Sequence, residues 1–242
     1  MRLDKFIANN SSYSRTEVKR RIKNKTVCVD KKITTDAGFT VTNQNTIRID
    51  GEIIEAIKPL YIMLNKPTGY VCANKDNIHS PAVDLITEQH ALQSDQTPAK
   101  YRAQSLQIAG RLDVDTTGLV LLTDNGDWNH RVTSPKKACF KRYRVNLEKP
   151  LDDTAIKLLC EGVMLHGEKA ATLPATVELI SNTEVLLSIQ EGRFHQVKRM
   201  FVKVGNCVVN LHREAIGAIE LDTNLKPGQW RHLTNEEIEA IN

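Results

Sequence analysis

The chain has 242 residues, 40% of them hydrophobic and 26% charged, with a net charge of +4; that balance excludes wholesale disorder and fibrous classes and leaves room for two domains. No apolar run approaches the roughly 18 residues of a bilayer span, and Met1-Arg2-Leu3-Asp4-Lys5 lacks an apolar h-region, so neither a membrane anchor nor a secretory leader is expected. Cys28, Cys72, Cys139, Cys160 and Cys207 are scattered and never in C-x-x-C spacing, which points to reduced cytoplasmic thiols and away from a disulfide framework or a zinc site.

The charge is unevenly spread. Residues 1–58 hold 12 Lys/Arg against 7 Asp/Glu, and residues 1–35 hold ten against three, while 59–242 are close to neutral. A positive field concentrated on a short segment is the footprint of a polyanion binder, or else simply a solvated basic surface. Within it, Leu3, Phe6 and Ile7 fall at i, i+3, i+4 and predict a short helix. Ser14 with Glu17 three residues on is a capping box, so a second helix begins near Arg15. In that helix Val18 and Ile22 face a core, and Arg15, Lys19 and Lys23 repeat on another face with Arg20 and Arg21 beside them. Val27 and Val29 alternate, Asp30-Lys31-Lys32 turn, and short strands run on to Ile47-Arg48-Ile49-Asp50. A helix face lined with cations suits RNA phosphates, contacts that position a protein without reading sequence. Met1–Phe6, Ser14-Arg15 and Thr26-Val27-Val29 together resemble an S4 RNA-binding domain over about residues 1–50. Asp50-Gly51-Glu52 through Lys58-Pro59 reads as a linker, giving domains at 1–58 and 59–242.

Beyond the linker, strands and short helical patterns mix without regular βαβ winding, which favours an α+β architecture. Tyr61-Ile62-Met63-Leu64 is an apolar run ended by Asn65-Lys66-Pro67-Thr68-Gly69. Residues 87–107, rich in Gln, Ser and Thr, read as a long surface loop. Val145–Leu147, Val177–Ile180 and Val185–Ile189 are strand candidates. Val197, Met200, Phe201 and Val204 fall at i, i+3, i+4, i+7, predicting a helix over His195–Val204 that Gly205 stops.

The chemically dense stretch is Gly110-Arg111-Leu112-Asp113-Val114-Asp115-Thr116-Thr117-Gly118-Leu119 through Asp127. Its plainest reading is a strand, a turn and a strand with solvated acids, which accounts for Asp124–Asp127 but leaves Asp113 and Asp115 unexplained. A second reading is the D-x-D-x-T of haloacid-dehalogenase-like phosphoryl transfer beside magnesium, and a third the spacing of an EF-hand calcium loop. The phosphoryl-transfer motif needs an apolar parallel strand before Asp113, where Gln104–Ala109 stands; the calcium loop needs flanking helices, where Leu119–Leu122 reads as strand.

A stronger explanation is a family resemblance. Gly110-Arg111-Leu112-Asp113 with Thr116-Thr117-Gly118-Leu119 resembles the catalytic signature of pseudouridine synthases. The family's other blocks stand in order: Asn65-Lys66-Pro67-x-Gly69 upstream, then Lys141-Arg142-Tyr143, Glu191–Met200, Leu211-His212-Arg213-x-x-Ile216-Gly217 and Leu225-Lys226-Pro227-Gly228-x-Trp230-Arg231 downstream. The wording of Gly110–Asp127 and Glu191–Met200 is similar to the RsuA-type branch, which acts on small-subunit (16S) ribosomal RNA. The resemblance implies a mixed- or antiparallel-sheet catalytic domain and the conversion of a specific uridine to pseudouridine, with neither metal nor organic cofactor. It makes Asp113 the nucleophile, Lys198 its cationic partner and Tyr143 the aromatic that stacks on uracil. Arg111 is a candidate to fill the gap left by an extruded base. Arg193, Arg199 and Lys203 are expected on the RNA backbone together with Arg15, Lys19, Arg20, Arg21 and Lys23. Asp115 is expected to be structural, held within its own turn by Thr116 or Thr117, and His130 and His195 to be structural or RNA-facing. The implied partner is small-subunit rRNA or its assembly intermediate, with no membrane, and the chain is expected to act as a cytoplasmic monomer. A non-catalytic RNA-binding factor is the alternative from another class.

Overall fold

The structure, a computed structural model, describes residues 1–42, 44–73, 76–93, 100–134 and 139–241. The chain divides into two compact units, Met1–Pro59 and Leu60–Asn242.

In the first unit, helices α1 (Leu3–Asn9) and α2 (Arg15–Lys23) precede strands β1 (Val27–Val29), β2 (Lys32–Ile33), β3 (Ile47–Ile49) and β4 (Glu52–Ile53), which pair antiparallel in the order β2-β1-β3-β4. The capping box forms: Ser14 N–H donates to Glu17 Oε2 at 2.7 Å and Glu17 N–H to Ser14 Oγ at 3.3 Å, a cap that stabilises a helix start by about 1 kcal/mol. Leu3, Ile7, Val18 and Ile22 meet Val27, Val29, Ile47 and Ile49 in one core, with Phe6 half-buried against it. Both hairpins close through two-residue turns with positive φ, Asp30-Lys31 (48°, 67°) and Asp50-Gly51 (51°, 89°), the type I′ geometry that matches strand twist. The linker expectation is therefore corrected at its start. Asp50-Gly51 is a hairpin turn, Glu52 and Ile53 form β4, and Ile54 still packs on the core.

The second unit holds β5 (Tyr61–Lys66), β6 (Tyr70–Val71), β7 (Ser80–Pro81), α3 (Lys100–Ser105), β8 (Gln107–Ala109), β9 (Thr117–Thr123), α4 (Gly126–Thr133) and β10 (Lys141–Leu147). It continues through α5 (Asp153–Glu161), β11 (Thr176–Ser181), β12 (Glu184–Ile189), α6 (Gln196–Lys203), β13 (Val208–Ile216), β14 (Ile219–Glu220), β15 (Trp230–His232) and α7 (Asn235–Glu239). The main sheet runs β11-β12-β10-β13-β9-β5-β15, with β14 on β13 and β8 on β9. It is mixed: β9 and β13 are parallel and the other pairs antiparallel. Ile62–Leu64 and Leu119–Leu122 are buried throughout because the central strands are covered on both faces. Ile62, Leu64, Val120 and Leu122 enter one core, and Met63, Leu119 and Leu121 join Trp128, Val132 and Ile216 in another. That two-sided burial is why these segments read as unbroken apolar runs.

The stretch 87–107 departs from the expected loop. A 3-10 turn at Glu88–His90 and helix α3 lie within it, Ala103 and Leu106 are buried, and Trp230 Nε1 donates to Thr87 O at 2.9 Å. Its few apolar residues anchor it although polar residues dominate; residues 94–99 lie outside the described ones. Among the described residues no helix is long and apolar enough to cross a membrane.

Candidate active site

The loop from Gly110 to Thr116 joins β8 to β9, and two buried cations hold it from below. Arg213, on β13, is 1% exposed. Its guanidinium donates to Gly110 O at 2.7 Å, Leu119 O at 2.8 Å, Arg111 O at 3.3 Å and Tyr143 Oη at 3.4 Å. Lys66, the last residue of β5, is fully buried and its Nζ donates to Thr116 O at 2.8 Å, Pro67 O at 2.9 Å and Val114 O at 3.4 Å. Gly69 N–H also donates to Val114 O at 2.9 Å, and Leu112 N–H to Cys72 Sγ at 3.3 Å. Two segments distant in sequence, one ending β5 and one on β13, thus close on the carbonyls of one loop. The motif blocks contain Lys66 and Arg213, yet nothing in their wording gives either residue a role. The available signal was a cation in line with the inward-facing positions of a strand, Ile62 and Leu64 before Lys66 and Leu211 and Ala215 around Arg213, since a buried charge needs specific partners.

Arg213 reaches the loop because β9 and β13 run unusually close. Gly118, opposite Arg213 in the parallel register, has φ +103°, and a Cβ there would lie 2.3 Å from Arg213 O. Only glycine fits, which is the physical content of the Thr116-Thr117-Gly118 signature. Beside it, Thr117 Oγ1 lies 2.8 Å from His212 Nδ1. Across β10, Tyr143 sits directly opposite Arg213, its ring in the core and its hydroxyl at the guanidinium.

Above this frame the two carboxylates diverge. Asp113 is 31% exposed at its side chain, and its Oδ1 lies 3.5 Å from His195 Nε2. Asp115 receives Lys198 Nζ on both carboxylate oxygens at 2.6 Å. The expected pairing is corrected on both sides: Lys198 is the partner of Asp115 rather than Asp113, and Asp115 is tied to α6 rather than held within its own turn. The lysine's compact ammonium reaches the nearer, more exposed carboxylate. That bond holds Asp115 below the usual carboxylate range, against its desolvation. Burial lowers the pKa of Lys66, and the nearby carboxylates of Asp115 and Asp113 oppose that fall.

Arg193 and Arg199 frame the loop ahead of α6. Arg193 donates to Ala170 O and Ala171 O, each at 2.7 Å, and to Glu191 at 3.0 Å. Arg199 donates to His166 O at 2.7 Å, Phe194 O at 2.9 Å and Glu168 at 3.0 Å. These bonds engage the two guanidinium groups with the protein's own carbonyls and carboxylates. Composition shows a basic motif, and only the tertiary arrangement brings carbonyls to it. Arg111 and Lys203 are exposed, as is His130 on α4. The haloacid-dehalogenase-like and calcium readings fail on architecture: Asp113 follows an antiparallel strand, and Leu119–Leu122 belongs to β9.

On α2, Lys19, Arg20 and Lys23 are exposed. Arg15 Nε stands 3.6 Å from the buried Asp4, while Arg21 pairs with Asp50 and lies over the Tyr13 ring at 4.1 Å.

Comparison with known proteins agrees with this arrangement. The family model described as RNA pseudouridylate synthase matches residues 60–203, and that of the S4 domain matches residues 1–47. The chain is 48% identical over 242 residues to the ribosomal small subunit pseudouridine synthase A of Salmonella typhimurium, covering all of both chains. The Escherichia coli K12 protein of the same name is 47% identical with the same coverage, and that of Vibrio cholerae is 44% identical over all of this chain and 99% of the relative. A crystal structure of a pseudouridylate synthase superposes with a TM-score of 0.70 at 41% identity, covering both chains fully.

Proposed function

Because this chain belongs to the RNA pseudouridylate synthase family, we propose that it converts one uridine of small-subunit (16S) ribosomal RNA, free or in an assembling particle, to pseudouridine, with Asp113 as the nucleophile. The N1–C1′ bond of the uridine breaks, the uracil turns, C5 bonds to C1′, C5 loses its proton and N1 takes one up. Atoms and electrons balance within the substrate, so the chemistry asks only for a carboxylate at the sugar and a group near C5. Whether the carboxylate attacks C1′ or removes the 2′ proton, the chemistry uses its ionised form.

The observation that carries the reading is the loop itself. Two buried cations and Gly118 converge on its backbone, leaving Asp113 as the loop's carboxylate that, among the described residues, is partly exposed and takes no lysine or arginine partner. Tyr143 stacks on the uracil from β10, and Lys198 serves by tying α6 to Asp115. Arg111, exposed beside the nucleophile, enters the gap left in the RNA stack, a useful substitution because extruding a base costs a few kcal/mol. Lys19, Arg20 and Lys23 hold phosphates. The chain acts as a monomer in this reading, and an rRNA substrate with scattered cysteines supports a cytoplasmic setting.

The test is Asp113→Asn, with tritium release measured from rRNA carrying uridine labelled at C5. Release from small-subunit rRNA falls to background while RNA binding persists; undiminished release overturns the assignment.

A further inference from the structure

The carboxylate proposed as nucleophile is approached by an imidazole. We infer that His195 is the positioning residue for Asp113, holding its carboxylate in the reactive orientation. The inference rests on Asp113 having the role given above.

Three observations converge. His195 Nε2 lies 3.5 Å from Asp113 Oδ1, while Lys198 is committed to Asp115 through both oxygens. The contact is longer than a formed hydrogen bond, as polar contacts in free active sites commonly are before substrate tightens them. Second, His195 is held in the left-handed region at φ +48°, ψ +35°, which a residue with a Cβ enters at a cost. That conformation lets it precede α6: its carbonyl accepts from Arg199 N–H at 3.0 Å, and the ring turns towards Asp113. The neighbouring backbone is clamped by Arg193, Glu191, Gln196 and Arg199, so the conformation is imposed from outside. Third, the imidazole is stacked on Phe194, ring centres 3.8 Å apart and planes 18° from parallel. Phe194 is 71% exposed. Leaving an aromatic ring of that size in water is explained if its task is to fix the plane of the imidazole rather than to join a core.

Stacking and a clamped backbone leave the ring little freedom, so Nε2 supplies a donor at a set position. The charged groups facing His195 are Asp113 and Asp115 from the β8–β9 loop and Lys198 from α6. A carboxylate aligned in this way meets the sugar in one orientation, and a displacement of about 1 Å costs on the order of 10²-fold in rate.

The test uses His195→Gly and His195→Gln in the full-length enzyme, with single-turnover and steady-state rates on small-subunit rRNA and Asp113→Asn alongside. Glycine accepts φ +48° without strain, so His195→Gly keeps or raises the melting temperature. Its kcat falls about 10²-fold with KM within about twofold, and added imidazole restores part of the rate. Glutamine, which keeps an N–H donor, retains an intermediate kcat. A His195→Gly enzyme with wild-type kcat overturns the inference, as does a loss confined to KM. If Lys198→Met carries the kcat loss while His195→Gly does not, Lys198 crosses to Asp113 in the complex and the inference is again overturned. Activity surviving in Asp113→Asn would instead refute the nucleophile assignment, so the two failures are distinguishable.

Discussion

Arg213 gives the sharpest prediction, because its side chain links folding to chemistry. Replacing it by Met keeps most of the apolar stem and removes the guanidinium. The bonds to Gly110 O and Leu119 O, at 2.7 and 2.8 Å, are well formed and their acceptors are left around a side chain 1% exposed. Each orphaned buried acceptor costs about 1–3 kcal/mol. The contacts at 3.3 and 3.4 Å to Arg111 O and Tyr143 Oη add less. Offsetting this, Met is spared the desolvation of a charge whose named acceptors are three carbonyls and a phenol. The net expectation is a loss of about 2–4 kcal/mol, short of the roughly 5–15 kcal/mol that holds a typical domain. At roughly 2–4 °C per kcal/mol for a domain of this size, the melting temperature drops by about 4–16 °C while the protein still folds at about 25 °C. The loop then keeps Lys66 but loses its clamp at Gly110, so single-turnover tritium release falls by about 10²-fold even at temperatures where the fold is intact. Arg213→Lys recovers little, since one ammonium does not span acceptors arranged around a planar fork. A folded Arg213→Met enzyme within threefold of wild-type rate would refute the claim that this guanidinium sets the position of Asp113.

Gly118→Ala places a methyl 2.3 Å from Arg213 O at φ +103°; it is expected to cost more than about 3 kcal/mol, visible as loss of the cooperative melt, and a melting temperature within about 2 °C of wild type would contradict the close-approach account. Lys19→Glu with Lys23→Glu weakens RNA binding and flattens its dependence on salt by roughly 0.7–0.9 log units for each phosphate no longer neutralised; filter binding across a salt series that returns the wild-type slope removes these residues from the interface. Half-buried His212 has its pKa lowered by burial, so the folded state favours the neutral ring. The unfolded chain then binds more protons, and the stability gained is full above the unfolded value near ~6.5 and lost as pH falls through the lower folded one. Melting curves from about pH 7 down to about pH 5 therefore decline less steeply in His212→Asn than in wild type; parallel declines would show that His212 contributes nothing to the acid limb.

The residues divide by the range of the interactions that place them. Ser14 with Glu17, the alternation of Val27 and Val29, the apolar spacing of Val197–Val204 and the runs Tyr61–Leu64 and Leu119–Leu122 were legible because each depends on neighbours a few positions away or on a simple choice between core and solvent. The ordered motifs around Asp113, Tyr143 and Lys198 were legible by resemblance, since a recurring site leaves a recurring wording. The turn at Asp50-Gly51 is equally local in its signal, although the polar stretch and the proline after it read as a linker; its positive φ values are what an Asp-Gly pair supplies. What the chain alone could not decide is which partner each charge takes. Whether Lys198 meets Asp113 or Asp115, whether Arg193 and Arg199 face RNA or their own backbone, and whether Lys66 and Arg213 lie under the loop depend on distances of a few ångströms between segments as far as 103 residues apart. Charge and hydrogen-bond energies change steeply over such distances, while residue type and spacing carry no measure of them. Only the packing of β5, β9 and β13 into one sheet brings those segments together, and it does so because Gly118 lets two of the strands touch.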